Sequence, residues 1–207
     1  MLRILGRTSS INVRKVLWTA DELGLAYQHE LWDGDPALNI KSIEYLALNP
    51  NGQIPVIVDG DFVLWESNVI IRYLAEKAGS ELIPSGFAER TRMAQWLSWQ
   101  GTELNPAWGY AVMARLRKVP GYDDEEQVTR SVKRWSAKMT ILEQQLMATR
   151  SHVAGDAFTL ADIALGVSIH RWLLTPIERP ELPQVAAYYG RLTQRPASAP
   201  YLTAATP

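Results

Sequence analysis

The run NPNGQIPVIVDGDFVLWESNVIIRYL, residues 49–74, leaves this chain few folds to choose from, because three separate structural demands fall within it. Pro55 opens the apolar run PVIV, and proline is accepted in a sheet at a first strand position, on an edge or in a shaped turn. The Ile54-Pro55 bond is therefore open between a trans edge proline and a cis turn. Asp59-Gly60 then separates PVIV from FVLW, the strongest short-range hairpin signal. Glu66-Ser67 precedes VIIRYLAEKAG, where Ile70, Tyr73, Leu74 and Lys77 recur at helical spacing and Gly79 suits a helix stop. A hydroxyl and free backbone N–H groups thus meet at a helix start beside a strand that begins with proline. That combination is suited to a carboxylate.

The rest of the N-terminal third supplies the elements this segment needs. Residues 2–5 read as a short strand. From Val13 the apolar positions Val13, Val16, Leu17 and Ala20 run at helical spacing until Gly24, and residues 26–32 alternate as a second strand. A βαβ unit of this kind takes a right-handed crossover. Residues 40–48 form a weak helical segment leading to the proline strand. The order βαβαββα is that of a thioredoxin-like domain, residues 1–78. Pro84 and Gly86 mark residues 79–88 as a linker.

From residue 89 to 207 an all-helical domain is expected, so the fold class is α/β followed by all-α. Met93, Trp96, Leu97, Trp108, Val112 and Leu116 belong to one helical region disturbed at Asn105-Pro106. Pro120 and Gly121 end it, and the acidic residues at 123–126 suit the first turn of a helix running to about Thr149. Phe158-Thr159-Leu160-Ala161-Asp162 carries a Thr-x-x-Asp capping box at the head of the buried run LADIALGVSIHRW, which makes Asp162 a folding residue rather than a catalytic one. A further helix covers residues 182–195, and PASAPYLTAATP reads as a loosely specified tail.

Residues 49–74 resemble the glutathione site of the soluble glutathione S-transferases, and FTLADIAL is similar to the N-capping motif of that family's helical domain. The resemblance implies glutathione as co-substrate, with the backbone of Ile54 holding its cysteinyl part, Pro55 shaping the turn, and Glu66 and Ser67 holding the γ-glutamyl end. Gln53 would reach the glycine or cysteinyl backbone. In serine-type members a hydroxyl in the first turn donates to the thiolate, and the serine falls six residues before a valine of the first helix, the spacing of Ser10 and Val16. Thr8 and Ser9 are also hydroxylic, and Asn12 resembles the asparagine of some bacterial glutathione-dependent disulfide reductases, so Ser10, Ser9 and Asn12 stay as alternatives for the sulfur donor. Arg14, on the first helix turn, is placed in solvent. Trp108, Tyr110 and Met113 are candidates for a second-substrate pocket between the domains, with Trp172 further away.

The resemblance thus implies a detoxifying transferase that directs the thiolate at a small apolar electrophile, acting as a homodimer. A disulfide reductase or peroxidase on the same fold, and a binding protein without turnover, are the rival readings. Composition narrows the setting. A net charge of −1 with no Lys/Arg block gives no reason to expect nucleic acid or an anionic membrane as partner. MLRILGRTSS is too short and too interrupted by Arg3 and Arg7 for a signal peptide, so a cytoplasmic protein is expected. With no cysteine, any thiol chemistry must use the ligand's sulfur. His29, His152 and His170 lack metal-ligand spacing, and no metal is expected.

Overall fold

The computed structural model describes residues 1–202; the last five residues of the expected tail, 203–207, lie outside the described residues. The N-terminal domain runs β1 Leu2–Leu5, α1 Ile11–Glu22, β2 Tyr27–Glu30, α2 Ile43–Leu48, β3 Val56–Asp59, β4 Phe62–Trp65 and α3 Ser67–Lys77. The four strands form one sheet in the order β2-β1-β3-β4. β1 is parallel to β2, and the pairs β1–β3 and β3–β4 are antiparallel. Gly60, at φ 64, lies in the turn that joins β3 to β4, with Asp59 opposite Phe62. The Ile54-Pro55 bond is cis.

Alternation along the strands divides the core. Ile4 and Ile57, partners across β1 and β3, join Val13, Val16, Ile70 and Ile71 in the main core, whereas Leu5 and Val56 pack with Tyr45 of α2 in a second cluster. The helical domain follows: α4 Phe87–Trp99, a π-helical turn Gln100–Leu104, α5 Asn105–Ala111, a second π-helical turn Val112–Leu116, α6 Glu125–Thr149, α7 Leu160–Leu174, α8 Pro183–Leu192, a 3-10 turn Pro196–Ser198 and α9 Ala199–Leu202. The disturbance expected at Pro106 is the first π turn, a common way to absorb an interrupted helical ladder.

Two expectations are corrected. Arg14 is not in solvent but 2% exposed. Helix α1 packs against both α3 and α7, so nine of its twelve residues are buried, Arg14 and Lys15 among them; the tight seat of Trp18 against Gly166, where an added Cβ would lie 2.8 Å from the indole, shows how close α7 comes. The tail is also better specified than its composition suggests. Tyr201 and Leu202 are buried, the Tyr201 hydroxyl donates to Asp21, Arg195 pairs with Glu22, and the Tyr189 hydroxyl donates to the Leu202 carbonyl at 2.6 Å. These contacts fasten the segment after α8 onto the end of α1.

Candidate active site

Gly6 joins the two turns that matter. Its φ is 144, and a Cβ there would meet Val13 Cγ2 at 2.5 Å and Ile54 Cβ at 3.0 Å. Only a glycine lets the turn after β1, the turn that carries the hydroxyls of residues 8–10, press against the turn before β3. The second turn is held from behind: the Gln53 carbonyl accepts from the Tyr45 hydroxyl at 2.8 Å and from Asn49 Nδ2 at 2.7 Å. Asn49 itself is 3% exposed and accepts from the Asn51 N–H. Burial pushes the Tyr45 hydroxyl well above the ordinary phenol range, so it stays a donor. The Gln53 side chain is exposed.

Glu66 adopts φ 74 and ψ 102, a conformation costly for a residue with a Cβ and one that marks functional sites more often than ordinary loops. Its carbonyl accepts from the Val69 and Ile70 N–H groups at 2.9 Å each. The first turn of a helix leaves its leading N–H groups, here those of Ser67 and Asn68, without intrahelical acceptors, and the helix dipole adds a partial positive charge. Ser67 is 7% exposed, whereas the Glu66 side chain is exposed.

Beneath this helix start lies a polar connection that the spacing of apolar residues does not disclose. Lys15 Nζ donates to Asn68 Oδ1 at 2.8 Å and to Gln100 Oε1 at 2.9 Å. Gln100, fully buried in the first π turn, donates to Asn105 Oδ1 at 2.9 Å and to Ser168 Oγ at 3.0 Å. Four helical segments thus meet at one side chain. Burial pushes the Lys15 ammonium down to about 7, with Glu66 pulling it upward.

In the turn after β1, Ser10 is the N-cap residue of α1 yet makes no side-chain cap hydrogen bond. Ser9 Oγ accepts from Arg7 Nη1 at 2.9 Å. Asn12 Oδ1 is buried with no hydrogen-bond partner. The carbonyls of Thr8 and Ser9 accept from Arg14 Nε at 2.6 Å and Arg171 Nη2 at 3.0 Å. Trp108 lies under the Arg171 guanidinium, 5.1 Å from its ring centre, which ties Trp108 to this turn. Met113 Sδ is 4.0 Å from Arg117 Nη1. Tyr110 points elsewhere, its ring on Tyr122 at 5.0 Å and its hydroxyl accepting from the Asp124 N–H at 3.2 Å. Trp172 stacks edge-on against Trp135 in the core. Sequence reasoning missed Lys15, Asn49, Arg117 and Arg171; of these only Arg171 left a signal, as a charge inside the apolar run of α7.

Among the described residues no group of three His, Cys, Asp or Glu side chains could hold a metal ion, and no helix is long and apolar enough to cross a membrane.

Residues 9–77 match the family described as glutathione S-transferase, N-terminal domain, and residues 125–191 match glutathione S-transferase, C-terminal domain. Glutathione S-transferase GstB of Escherichia coli (strain K12) is 33% identical over 200 residues, 95% of each chain. Glutathione S-transferase F10 of Arabidopsis thaliana is 33% identical over 165 residues, 74% of this chain and 75% of that one. The crystal structure of the theta class glutathione S-transferase from the citrus canker pathogen Xanthomonas axonopodis pv. citri with glutathione bound superposes with a TM-score of 0.89 at 35% identity, covering 100% of this chain and 99% of that one. A thioredoxin-like sheet followed by a helical domain defines the class. The chain belongs to the glutathione S-transferase family.

Proposed function

We propose that this protein is a cytoplasmic glutathione transferase that binds glutathione along the Ile54-Pro55 turn and the start of α3, ionises its thiol at the turn after β1, and directs the sulfur at a small electrophile. The observation that carries this reading is the Glu66-Ser67 helix start, with Glu66 held at φ 74, together with the Ile54-Pro55 turn that Gly6 sets against the turn after β1. The γ-glutamyl carboxylate takes the N–H groups and hydroxyl of Ser67, and Glu66 accepts from the α-ammonium group. Ile54 offers its backbone to the cysteinyl part, with Pro55 setting the turn, and Gln53 reaches the glycine end. Trp108 and Met113 border the electrophile. We divide the chain into residues 1–78, a linker 79–88 and a helical domain 89–207, as a detoxifying enzyme of this class is organised.

Calorimetric titration with glutathione tests the binding site. Ser67→Ala removes a hydrogen bond to a charged group, about 1.5–3 kcal/mol, and is expected to weaken binding by roughly ten- to a hundredfold. Unchanged affinity would remove Ser67 from the site.

The sulfur donor is tested separately. A free thiol titrates near pH 8.5, and a hydroxyl donor together with the N-terminus of α1 favours the anion. At 1.5–3 kcal/mol for the charged hydrogen bond and 1.36 kcal/mol per pH unit, the bound thiol is expected to titrate about one to two pH units lower. Ser10 is our assignment because its hydroxyl does not cap the helix. Ultraviolet thiolate absorbance should show Ser10→Ala returning the titration toward the free value. If Ser10→Ala leaves the titration where it was and Asn12→Ala or Ser9→Ala moves it instead, Ser10 is not the donor and the disulfide-reductase reading gains.

A two-fold dimer completes the proposal. Phe62 and Val69 are 47% and 50% exposed and border a groove, together with Leu64, Tyr73, Met93 and Leu97, that a second copy would cover. Light scattering at micromolar concentration should give twice the 23.3 kDa monomer mass; a monomer would refute this part.

A further inference from the structure

Asn51-Gly52 carries a chemistry of its own, immediately before Gln53. Of the asparagines Asn12, Asn39, Asn49, Asn51, Asn68 and Asn105, only Asn51 precedes glycine, and Asn49 and Asn105 precede proline. An asparagine carboxamide is open to attack by the backbone nitrogen that follows it. Proline has no N–H to offer for this, and glycine, with no Cβ, leaves the approach least hindered. Gly52 is not exchangeable: its φ is 59, and a Cβ there would lie 2.9 Å from Lys41 Nζ and 3.1 Å from the Ile40 carbonyl oxygen. Asn51 is exposed. Asn49 holds both of the groups that would react. The Gly52 N–H donates to the Asn49 carbonyl at 2.9 Å. Asn49 Oδ1 accepts from Asn51 Nδ2 at 3.0 Å and from the Asn51 N–H at 3.1 Å, while Asn49 Nδ2 donates to the Gln53 carbonyl at 2.7 Å. Ring closure at Asn51 therefore requires hydrogen bonds to Asn49 to open first, and a surface turn opens far more readily than a core helix.

We propose that Asn51 is a site of spontaneous deamidation, that Asn49 restrains the reaction, and that its products loosen the turn at Gln53-Ile54-Pro55. The Gly52 nitrogen gives its proton to solvent base and bonds to Asn51 Cγ, and the side-chain nitrogen leaves as ammonia. A five-membered succinimide results. Water then opens the ring at one of its two carbonyls, so that water is consumed and ammonia released. Attack at Cγ leaves aspartate; attack at the main-chain carbonyl leaves isoaspartate, whose backbone runs through Cβ and Cγ and is one atom longer. In both products the donor to Asn49 Oδ1 is gone and a carboxylate, which only accepts, stands in its place. Asn49 is the residue that also holds the Gln53 carbonyl, so the disturbance passes to the turn. The consequence for ligand binding rests on the transferase reading above, whereas the chemistry at Asn51 does not.

The full chain, incubated for days in mildly alkaline buffer, is mapped by peptide mass spectrometry, with isoaspartyl methyltransferase labelling to detect the longer backbone. Asn51 is expected to react ahead of every other asparagine, and about fivefold faster in Asn49→Ala, from the loss of a side-chain hydrogen bond. If circular dichroism shows that Asn49→Ala does not fold, the restraint is read from the intact chain instead, whose native rate should lie about fivefold or more below its rate in urea. An Asn51 still intact when the chain in urea has reacted completely, or one overtaken by another asparagine, overturns the site. An equal rate in folded Asn49→Ala overturns the role of Asn49. The deamidated fraction, separated by ion exchange, is expected to bind glutathione about fivefold more weakly than the intact fraction in calorimetry. Asn51→Gln, whose closure would need a six-membered ring, should stay unmodified and keep its affinity through the same incubation. Equal affinity of the two fractions overturns the effect on the turn and leaves the transferase reading standing. If the intact protein does not bind glutathione, the transferase reading fails and the peptide map still decides the site.

Discussion

Asp162→Ala is expected to lower the unfolding free energy by about 3–5 kcal/mol. The carboxylate is fully buried and accepts four hydrogen bonds: from the Thr159 N–H at 2.7 Å, the Thr159 hydroxyl at 2.9 Å, the Val153 N–H at 3.0 Å and the Tyr188 hydroxyl at 2.5 Å. It closes the capping box of α7 and also ties the preceding loop and α8 to that helix start. Alanine leaves these donors buried with nothing to accept them, and each orphaned group costs about 1–3 kcal/mol. Urea denaturation followed by circular dichroism measures the loss. Glutathione affinity of the folded protein should stay within about twofold, because the proposed binding groups sit on other elements. A stability change under about 1 kcal/mol, or a large loss of glutathione affinity in folded protein, would contradict the assignment of Asp162 to folding.

Stability is expected to rise by about 2 kcal/mol between pH 7 and 9 through Lys15 alone. Its folded affinity for the proton is depressed from 10.5 to about 7 by burial. Between these values the unfolded chain binds a proton that the folded chain lacks, so unfolding becomes less favourable as pH rises through the window. Below pH 7 both states are protonated, and the full penalty, on the order of 5 kcal/mol at 1.36 kcal/mol per pH unit, is present. Above pH 10 three tyrosines reverse the trend: half-buried Tyr189, raised to about 12, and buried Tyr45 and Tyr201, raised further, hold protons that the unfolded chain releases. Denaturation at several pH values, compared with Lys15→Met, isolates the contribution. The variant should show a flatter profile from pH 7 to 9; an unchanged slope would mean that Lys15 is charged and satisfied at neutral pH.

Local chemistry made much of this protein readable. Asp59-Gly60 places a hairpin, Pro55 excludes an interior strand position at the start of β3, and Thr159 with Asp162 announces a helix start. Each of these works over a few residues, through a turn geometry, a missing N–H or a capping hydrogen bond, and so survives translation into structure. The alternation that sends Ile4 and Ile57 to one core and Leu5 and Val56 to the other is of the same kind. Resemblance then supplied the ligand, because Ile54-Pro55 and Glu66-Ser67 occur in the order and spacing of a known site.

What could not be read is everything that depends on what α1 meets. An isolated amphipathic helix exposes Arg14 and Lys15, and its apolar stripe says nothing of a second partner. Once α3 and α7 close over α1, Arg14 turns to the Thr8 carbonyl and Lys15 reaches Asn68 of α3 and Gln100 of the first π turn. The same closure brings Arg171 to a residue 162 positions earlier in the chain. The turn and cap signals are short-range and were legible in order along the chain. The charge beside the proposed sulfur site is a sum over segments distant in sequence, and no local pattern carries a sum of that kind.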